Sequence, residues 1–407
     1  MTIPLVCLAD VERARKLLDG VVRNTPLEPS RPLTEVLGGP TWLKCENLQR
    51  AGSYKVRGAY VRIAGLTPEE RAGGVVAASA GNHAQGVALA AGLLGTSATV
   101  FMPAGAALPK IAATKRYGAT VRTAGTTVDE TLVAAQEYAR ESGAVFIHPF
   151  DHPDVIAGQG TVALEILEQC PDVRTIIAGV GGGGLLSGIA VAAKALRPDV
   201  RVVGVQADGA AAYPPSLAAG RPVPIPRLST IADGIAVGCP GELTFAHVKD
   251  LVDEVVTVTD EDISRALLML LERGKLVVEP AGAVGVAALL AGVVRVPTPA
   301  VAVLTGGNID PLLLLRVIEH GLAAAGRYLR LSVRCGDRPG QLATLLTLIG
   351  ERGANVVDVA HRRHDPELNL GEVEVDLSVE TRGDDHADRL VEALRAAGYP
   401  VTEWMNR

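Results

Sequence analysis

Residues 175–188 read TIIAGVGGGGLLSG, and this stretch decides the fold. Thr175–Ala178 is a short run, apolar on both faces, of the kind that forms a strand inside a parallel sheet. Consecutive glycines follow, and then a periodic apolar segment, Leu185–Leu196, of helix length. Strand, glycine turn and helix in that order make the first part of a strand–helix–strand unit. A tight connection needs only one or two glycines, and each further one costs backbone entropy. The run therefore reads as a place where backbone amides approach a phosphate at a helix N-terminus. Gly179, Gly181 and Gly184 also match GxGxxG, the dinucleotide fingerprint. That reading expects an acidic residue closing the next strand, but Val200–Val205 is followed by Gln206, and Asp208 comes two residues late. A purely structural loop is the third reading.

The same alternation extends in both directions. Gly74–Ser79, Ala98–Met102, Val200–Val205 and Ala300–Leu304 are further aliphatic runs, and Val128–Ser142 and Val155–Gln169 have the three-to-four spacing of helices. Such alternation predicts right-handed crossovers and a mostly parallel sheet covered on both faces. Aromatic residues make up only 3% of the chain, so the cores must be built from small and branched aliphatics. A net charge of −6 provides no basic face and argues against nucleic acid or an anionic membrane as partner. Cys7, Cys45, Cys170, Cys239 and Cys335 are far apart and form no CxxC pair, which predicts reduced thiols in a cytoplasmic protein. The first residues lack the pattern of a signal peptide, and no apolar run approaches the length of a membrane span.

The pattern changes near residues 321–326 (GLAAAG). Beyond them the order is strand (Tyr328–Arg334), helix (Gly340–Gly350), strand (Val356–Arg363), polar turn (His364–Leu370), strand (Gly371–Glu380), helix (Asp384–Ala397) and strand (Val401–Trp404). This βαββαβ order predicts a ferredoxin-like module at 327–407, separate from a two-lobed α/β unit at 1–326.

Three more segments carry chemistry. Residues 79–83, SAGNH, follow an aliphatic strand and open a helix; their amides suit a carboxylate, although an ordinary capped helix would look the same. Residues 304–308, LTGGN, set a hydroxyl at the carboxyl edge of the sheet, where open α/β sheets bind ligands. In residues 46–58, ENLQRAGSYKVRG, Lys55 sits in a turn before an apolar helix, Val56–Leu66. A desolvated lysine there is able to form a Schiff base. A Schiff-base lysine, an anion turn and a phosphate cradle together are what pyridoxal phosphate chemistry requires.

At these residues the chain resembles the fold-type II pyridoxal-phosphate family, in particular the threonine dehydratases (threonine ammonia-lyases), and is similar also to serine racemase. The resemblance rests on ENLQRAGSYKVRGA, SAGNHAQGVA, IAGQGT, GVGGGGLLSG, TIADGIAV, EPAGA and LTGGN, in order over about 300 residues. The C-terminal segment resembles an ACT domain, a small amino-acid-sensing module, through residues 337–343 (DRPGQLA) and Asn355. The resemblance implies pyridoxal 5'-phosphate held by Lys55, which later moves the substrate α-proton. It assigns Asn82 to the ring hydroxyl, Gly181, Gly182, Gly183, Gly184 and Leu185 to the phosphate, and Thr305 to the pyridine nitrogen. Ser79, Gly81 and His83 are assigned to the carboxylate of an amino-acid substrate. Gly340 and Asn355 are assigned to an amino-acid effector, with isoleucine or valine in view, and a homodimer or homotetramer is implied.

Two departures matter. The racemase pattern has a second serine, the acid/base on the ring face opposite the lysine, where this chain has Ala80. Its metal site is also depleted, because Gln206 and Ala212 stand where acidic ligands are expected, so no metal is expected here. The resemblance thus implies elimination of water and ammonia from threonine or serine. A serine racemase/dehydratase, a catalytically silent amino-acid sensor and an NAD-dependent enzyme are the competing readings.

Overall fold

The computed structural model describes residues 5–106, 108–126, 128–324, 326–363 and 368–403. The chain divides into two compact units, 1–310 and 311–407. The helix Pro311–Ala324 thus groups with the second unit, whereas the sequence pattern draws the division at 326/327.

The first unit contains β1 (Leu27–Pro29), β2 (Thr41–Lys44), β3 (Val75–Ala78), β4 (Ala98–Met102), β5 (Thr120–Thr123), β6 (Val145–Phe146), β7 (Thr175–Gly179), β8 (Arg201–Ala207), β9 (Glu254–Val258) and β10 (Ala300–Val303). They form two sheets, ordered β1-β2-β10-β7-β8-β9 and β5-β4-β3-β6. Every pairing is parallel except that of β1 with β2. The smaller sheet is built from residues lying between β2 and β7, so two lobes arise from one continuous stretch. β3, β7 and β10 are buried along their whole length, as expected of strands covered on both faces.

The scarcity of aromatics has a packing consequence. The helices Lys55–Ala64, Pro153–Gln169 and Gly184–Leu196 meet at glycines. A Cβ on Gly158 would lie 2.7 Å from Gly58 Cα, and one on Gly160 would lie 2.8 Å from the Gly188 carbonyl. Backbones this close exclude any side chain at the crossing, and the helix that begins at Lys55 is thereby fixed against the helix behind it.

The second unit contains β11 (Tyr328–Gly336), β12 (Asn355–Arg362), β13 (Glu372–Glu380) and β14 (Val401–Glu403), ordered β12-β13-β11-β14 and wholly antiparallel. With the helices Gln341–Glu351 and Asp384–Ala396 this is the βαββαβ arrangement read from the sequence. Alternate residues of β13, namely Val373, Val375, Leu377 and Val379, are buried, and they pack with Leu345, Ile349, Leu390 and Leu394. Trp404 and much of the His364–Leu370 turn lie outside the described residues. All five cysteines are unpaired, and Cys45, Cys170 and Cys335 are buried. Among the described residues no helix is long and apolar enough to cross a membrane.

Candidate active site

Parallel strands end at one edge of their sheet, and the loops leaving that edge bring the chemistry together. After β7 the chain enters the glycine run. Tyr213 and Thr244 hydroxyls both donate to the Gly182 carbonyl, at 3.3 and 2.6 Å. In a trans peptide the next amide points the opposite way, so this clamp turns the Gly183 N–H outward. Among the described residues the amides of Gly181 through Leu185 meet no acceptor. They are five consecutive donors at the start of the helix Gly184–Leu196. Gly183 has φ +100°, and a Cβ on Gly182 would overlap the Phe150 ring. The loop is glycine-rich because it is pressed between Phe150 and Tyr213 and also must turn left-handed.

Lys55 lies one step from this loop. Pro149, next to Phe150, accepts a 2.9 Å hydrogen bond from Lys55 Nζ. The lysine is the first residue of its helix and not part of the preceding turn, because left-handed Ala51 and Gly52 have already redirected the chain. Burial lowers its ammonium to about 8, against the opposing pull of the Glu279 carboxylate. At pH 7 a group one unit below its pKa is about one-tenth neutral, far more than an exposed lysine.

A buried ionic network anchors the Lys55 helix. Arg57 donates to both oxygens of Glu46 at 2.8 Å and to Glu165 at 2.6 Å, and Lys44 donates to the other Glu165 oxygen at 2.6 Å. Lys44, Glu46 and Arg57 are fully buried. Two cations and two anions balance, and Glu46 also accepts from the Thr25 hydroxyl at 2.6 Å, the kind of compensation under which such a cluster is tolerated.

The other expected residues surround the same space. Asn82 opens the helix Asn82–Leu93; its Nδ2 donates to Glu279 Oε1 at 2.5 Å, and its Oδ1 accepts from Asn308 Nδ2 at 2.7 Å. Thr305 is buried, and its hydroxyl donates to the Ala281 carbonyl at 3.3 Å. Its own carbonyl accepts from Tyr54 N at 3.3 Å, which ties the end of β10 to the residue before Lys55. Ser79 Oγ accepts from Gly81 N at 3.1 Å and shapes the turn, while the amides of Asn82 and His83 stay unpaired among the described residues.

His83, Gln206, Gly340 and Asn355 have surroundings that the sequence did not show. The His83 side chain is buried and its Nε2 sits 2.9 Å from the Ile147 carbonyl, so Nε2 must carry the hydrogen. Burial holds this imidazole neutral, with its pKa down to about 3, and among the described residues it is the His83 amide, not the ring, that has no partner. Gln206 is committed to the main chain, accepting from Tyr213 N at 2.8 Å and donating to the Ala210 carbonyl at 3.4 Å. Gly340 and Asn355 lie at opposite ends of the second unit's sheet. Asn355 pairs with Glu380, which pairs with Tyr328 at the start of β11, whereas Gly340 follows the end of β11. The length of β11, roughly 25 Å at a strand's rise per residue, separates them within one chain.

Glu279, Asn308, Pro149 and Phe150 also line the site, and sequence reasoning gave them no role. Glu279 and Asn308 stand in stretches quoted for the resemblance, and an acidic residue heading the apolar helix Pro280–Leu290 was the available signal. Pro149 and Phe150 offered none, because their role comes from contact with residues far away in sequence.

Comparison with known proteins identifies the families of both parts of the chain. Residues 18–306 match the family described as "Pyridoxal-phosphate dependent enzyme", and residues 329–398 match "ACT domain". An L-threonine ammonia-lyase of Thermotoga maritima is 47% identical over 397 residues, covering 98% of this chain and 99% of the relative. One from Geobacter sulfurreducens is 47% identical over 392 residues, covering 96% and 98%. Among solved structures, the processed form of threonine deaminase isoform 2 from Solanum lycopersicum superposes with a TM-score of 0.73 at 38% identity, over 77% of this chain and 86% of that one. Maize serine racemase gives 0.74 at 36% identity, over 79% and 99%.

Proposed function

Because the chain belongs to the pyridoxal-phosphate dependent enzymes and carries an ACT domain, we propose that it converts L-threonine to 2-oxobutanoate and ammonia, with L-serine giving pyruvate as a secondary activity. One observation carries the cofactor assignment: among the described residues the five amides Gly181 to Leu185 meet no acceptor, and their loop packs on Phe150, next to the Pro149 carbonyl that accepts from the desolvated Lys55 amine. The cluster suits a phosphate at one end and an amine-reactive carbonyl at the other. When bound, pyridoxal 5'-phosphate supplies a ring that spreads negative charge from the substrate α-carbon.

The chain's own residues supply the rest. Lys55 would hold the cofactor through its amine and would serve as the base for the substrate α-proton. The unpaired amides of Asn82 and His83, with Ser79 and Gly81, receive the substrate carboxylate at a helix N-terminus. Asn82, which gives one amide hydrogen to Glu279, would offer the other to the ring oxygen. Thr305 would meet the ring nitrogen with a neutral hydroxyl, which would not keep that nitrogen protonated as a carboxylate would and so would favour loss of the β-hydroxyl over reprotonation. The overall reaction balances: water lost from the β-carbon is returned in hydrolysis, and ammonia leaves without any redox change. Ala80 has no transferable proton for the opposite face, which sets this reading above racemisation.

The ACT domain binds an amino-acid effector. Since Gly340 and Asn355 are a sheet-length apart in one chain, a ligand touching both must lie where two copies meet, as in a homodimer or homotetramer. An effector shifts activity only by binding two arrangements unequally.

The purified protein is to be assayed for 2-oxo acid from threonine and from serine, with and without branched-chain amino acids, and then reduced with borohydride and mapped. Formation of 2-oxobutanoate, with the label on Lys55, is the expected result. Absence of 2-oxo acid from both substrates, or a label on another lysine, overturns the proposal.

A further inference from the structure

Glu279 is buried, with only 4% of its surface exposed, and it precedes the helix Pro280–Leu290 without capping it. Its Oε1 accepts from Asn82, and its backbone N–H donates to the Gly306 carbonyl. Lys110, a cation from the smaller lobe, is paired with Asp233 and not with Glu279. A buried carboxyl held by one neutral donor is costly, and such groups concentrate where their chemistry is used.

Its effect on Asn82 follows from donor and acceptor counting. The Ala51 carbonyl only accepts, so the atom of Asn308 against it, 2.8 Å away, must be Nδ2. That same Nδ2 faces Asn82 at 2.7 Å, which requires the oxygen of Asn82 there. The amide nitrogen of Asn82 then points to Glu279, where an ionised carboxylate accepts it. A flipped Asn82 would set nitrogen against nitrogen and oxygen against oxygen. One Asn82 N–H is consumed by Glu279, and the other is left for a ligand.

We propose that Glu279 is a positioning residue for the cofactor: acting through Asn82, it holds one amide hydrogen toward the ring oxygen and takes up or releases a proton as charge in the site changes. This rests on the reading that the site binds pyridoxal 5'-phosphate. Five groups face Glu279: Lys55 and Tyr54 at the start of one helix, Asn82 at the start of another, Lys110 on the helix Leu108–Arg116, and Asp233 in the turn Asp233–Ile235. Burial and Asp233 push the carboxyl up to about 7, while Asn82, Lys110 and Lys55 pull it down. The proton is therefore exchangeable near neutral pH.

The test uses holoenzyme of wild type, Glu279→Gln and Glu279→Ala, and reads visible absorbance of the bound cofactor from about pH 5.5 to about pH 9 together with cofactor affinity. Wild type should show an inflection within about one pH unit of neutrality. Glu279→Gln keeps an oxygen for Asn82 but has no titrating proton, so affinity should hold within about threefold while the inflection disappears. Glu279→Ala should weaken cofactor binding by about tenfold or more, and by no more than about twofold when Asn82→Ala is already present. An unchanged inflection in the glutamine variant, or equal losses with and without Asn82, overturns the proposal; should the alanine variant fail to fold, the glutamine titration decides alone. Borohydride labelling separates the two levels. Label on Lys55 with unaltered titration in Glu279→Gln sinks this inference only, whereas absence of label on Lys55 in wild type sinks the cofactor reading beneath it.

Discussion

β7 and β13 lie at the centres of two sheets that handle burial in opposite ways. β7 is buried at every residue, Thr175 to Gly179, between parallel neighbours. β13 buries every second residue, Val373 to Val379, between antiparallel ones. In the first case the parallel neighbours β7 and β10 end at the same edge and deliver the glycine amides and Thr305 there, and the segment after β3, a strand of the other parallel sheet, brings Asn82, although the three are far apart in sequence. In the second, successive strands reverse, so the loops are shared between both ends and Gly340 is parted from Asn355. A parallel sheet concentrates a site within one chain. A small antiparallel one leaves its ligand residues to be completed by symmetry.

The most severe challenge to that contrast is at the parallel edge. Lys55→Ala should lower 2-oxobutanoate formation by about 10³-fold or more and abolish borohydride labelling, while circular dichroism stays unchanged. Substantial turnover in the variant would remove the site from this edge. Gly182→Ala comes next, since its Cβ overlaps the Phe150 ring. Cofactor affinity, measured by fluorescence titration of apoenzyme, should fall by about 100-fold, and a fall under threefold would mean that the loop shifts freely.

Arg57→Met removes the cation between Glu46 and Glu165 and should destabilise the first unit by about 3–5 kcal/mol in urea unfolding, with the second unit's transition unmoved. A loss of under about 1 kcal/mol would show that water enters the network. Leu377→Ala, in the alternating core of β13, should cost the second unit about 2–4 kcal/mol and leave cofactor binding intact. The smallest effect sharpens the antiparallel half. Gly340→Asp and Asn355→Ala should each weaken effector response severalfold, and co-refolding the two should restore part of it, because a two-fold mixed dimer regains one intact site. Mixtures no better than either parent would place both residues' effects within single chains.

Much of this was legible along the chain. Ala98–Met102 and Val128–Ser142 are where the hydrophobic pattern puts them, and the βαββαβ order follows from periodicity alone. The edges moved where local geometry intervened. Arg201–Ala207 runs beyond Val205 because β9 pairs along it as far as Ala207. The helix at Lys55 starts one residue early because left-handed Ala51 and Gly52 complete the turn before it. His83 was assigned by its motif, but the Ile147 carbonyl, from a separate strand end, occupies its ring.

The sequence by itself determined what short-range physics controls: strand and helix periods, the glycine run that exposes amides, the small residues that let helices touch, and a lysine set at a helix start. Only the tertiary structure decided which carbonyl holds Lys55, that Phe150 and Tyr213 compress the glycine loop, and that Asn308, Asn82 and Glu279 form one directed chain of hydrogen bonds. Periodicity and turn chemistry act over a few residues. A desolvated charge or an oriented amide depends instead on atoms within a few ångströms of it, and folding draws those atoms from anywhere in the chain.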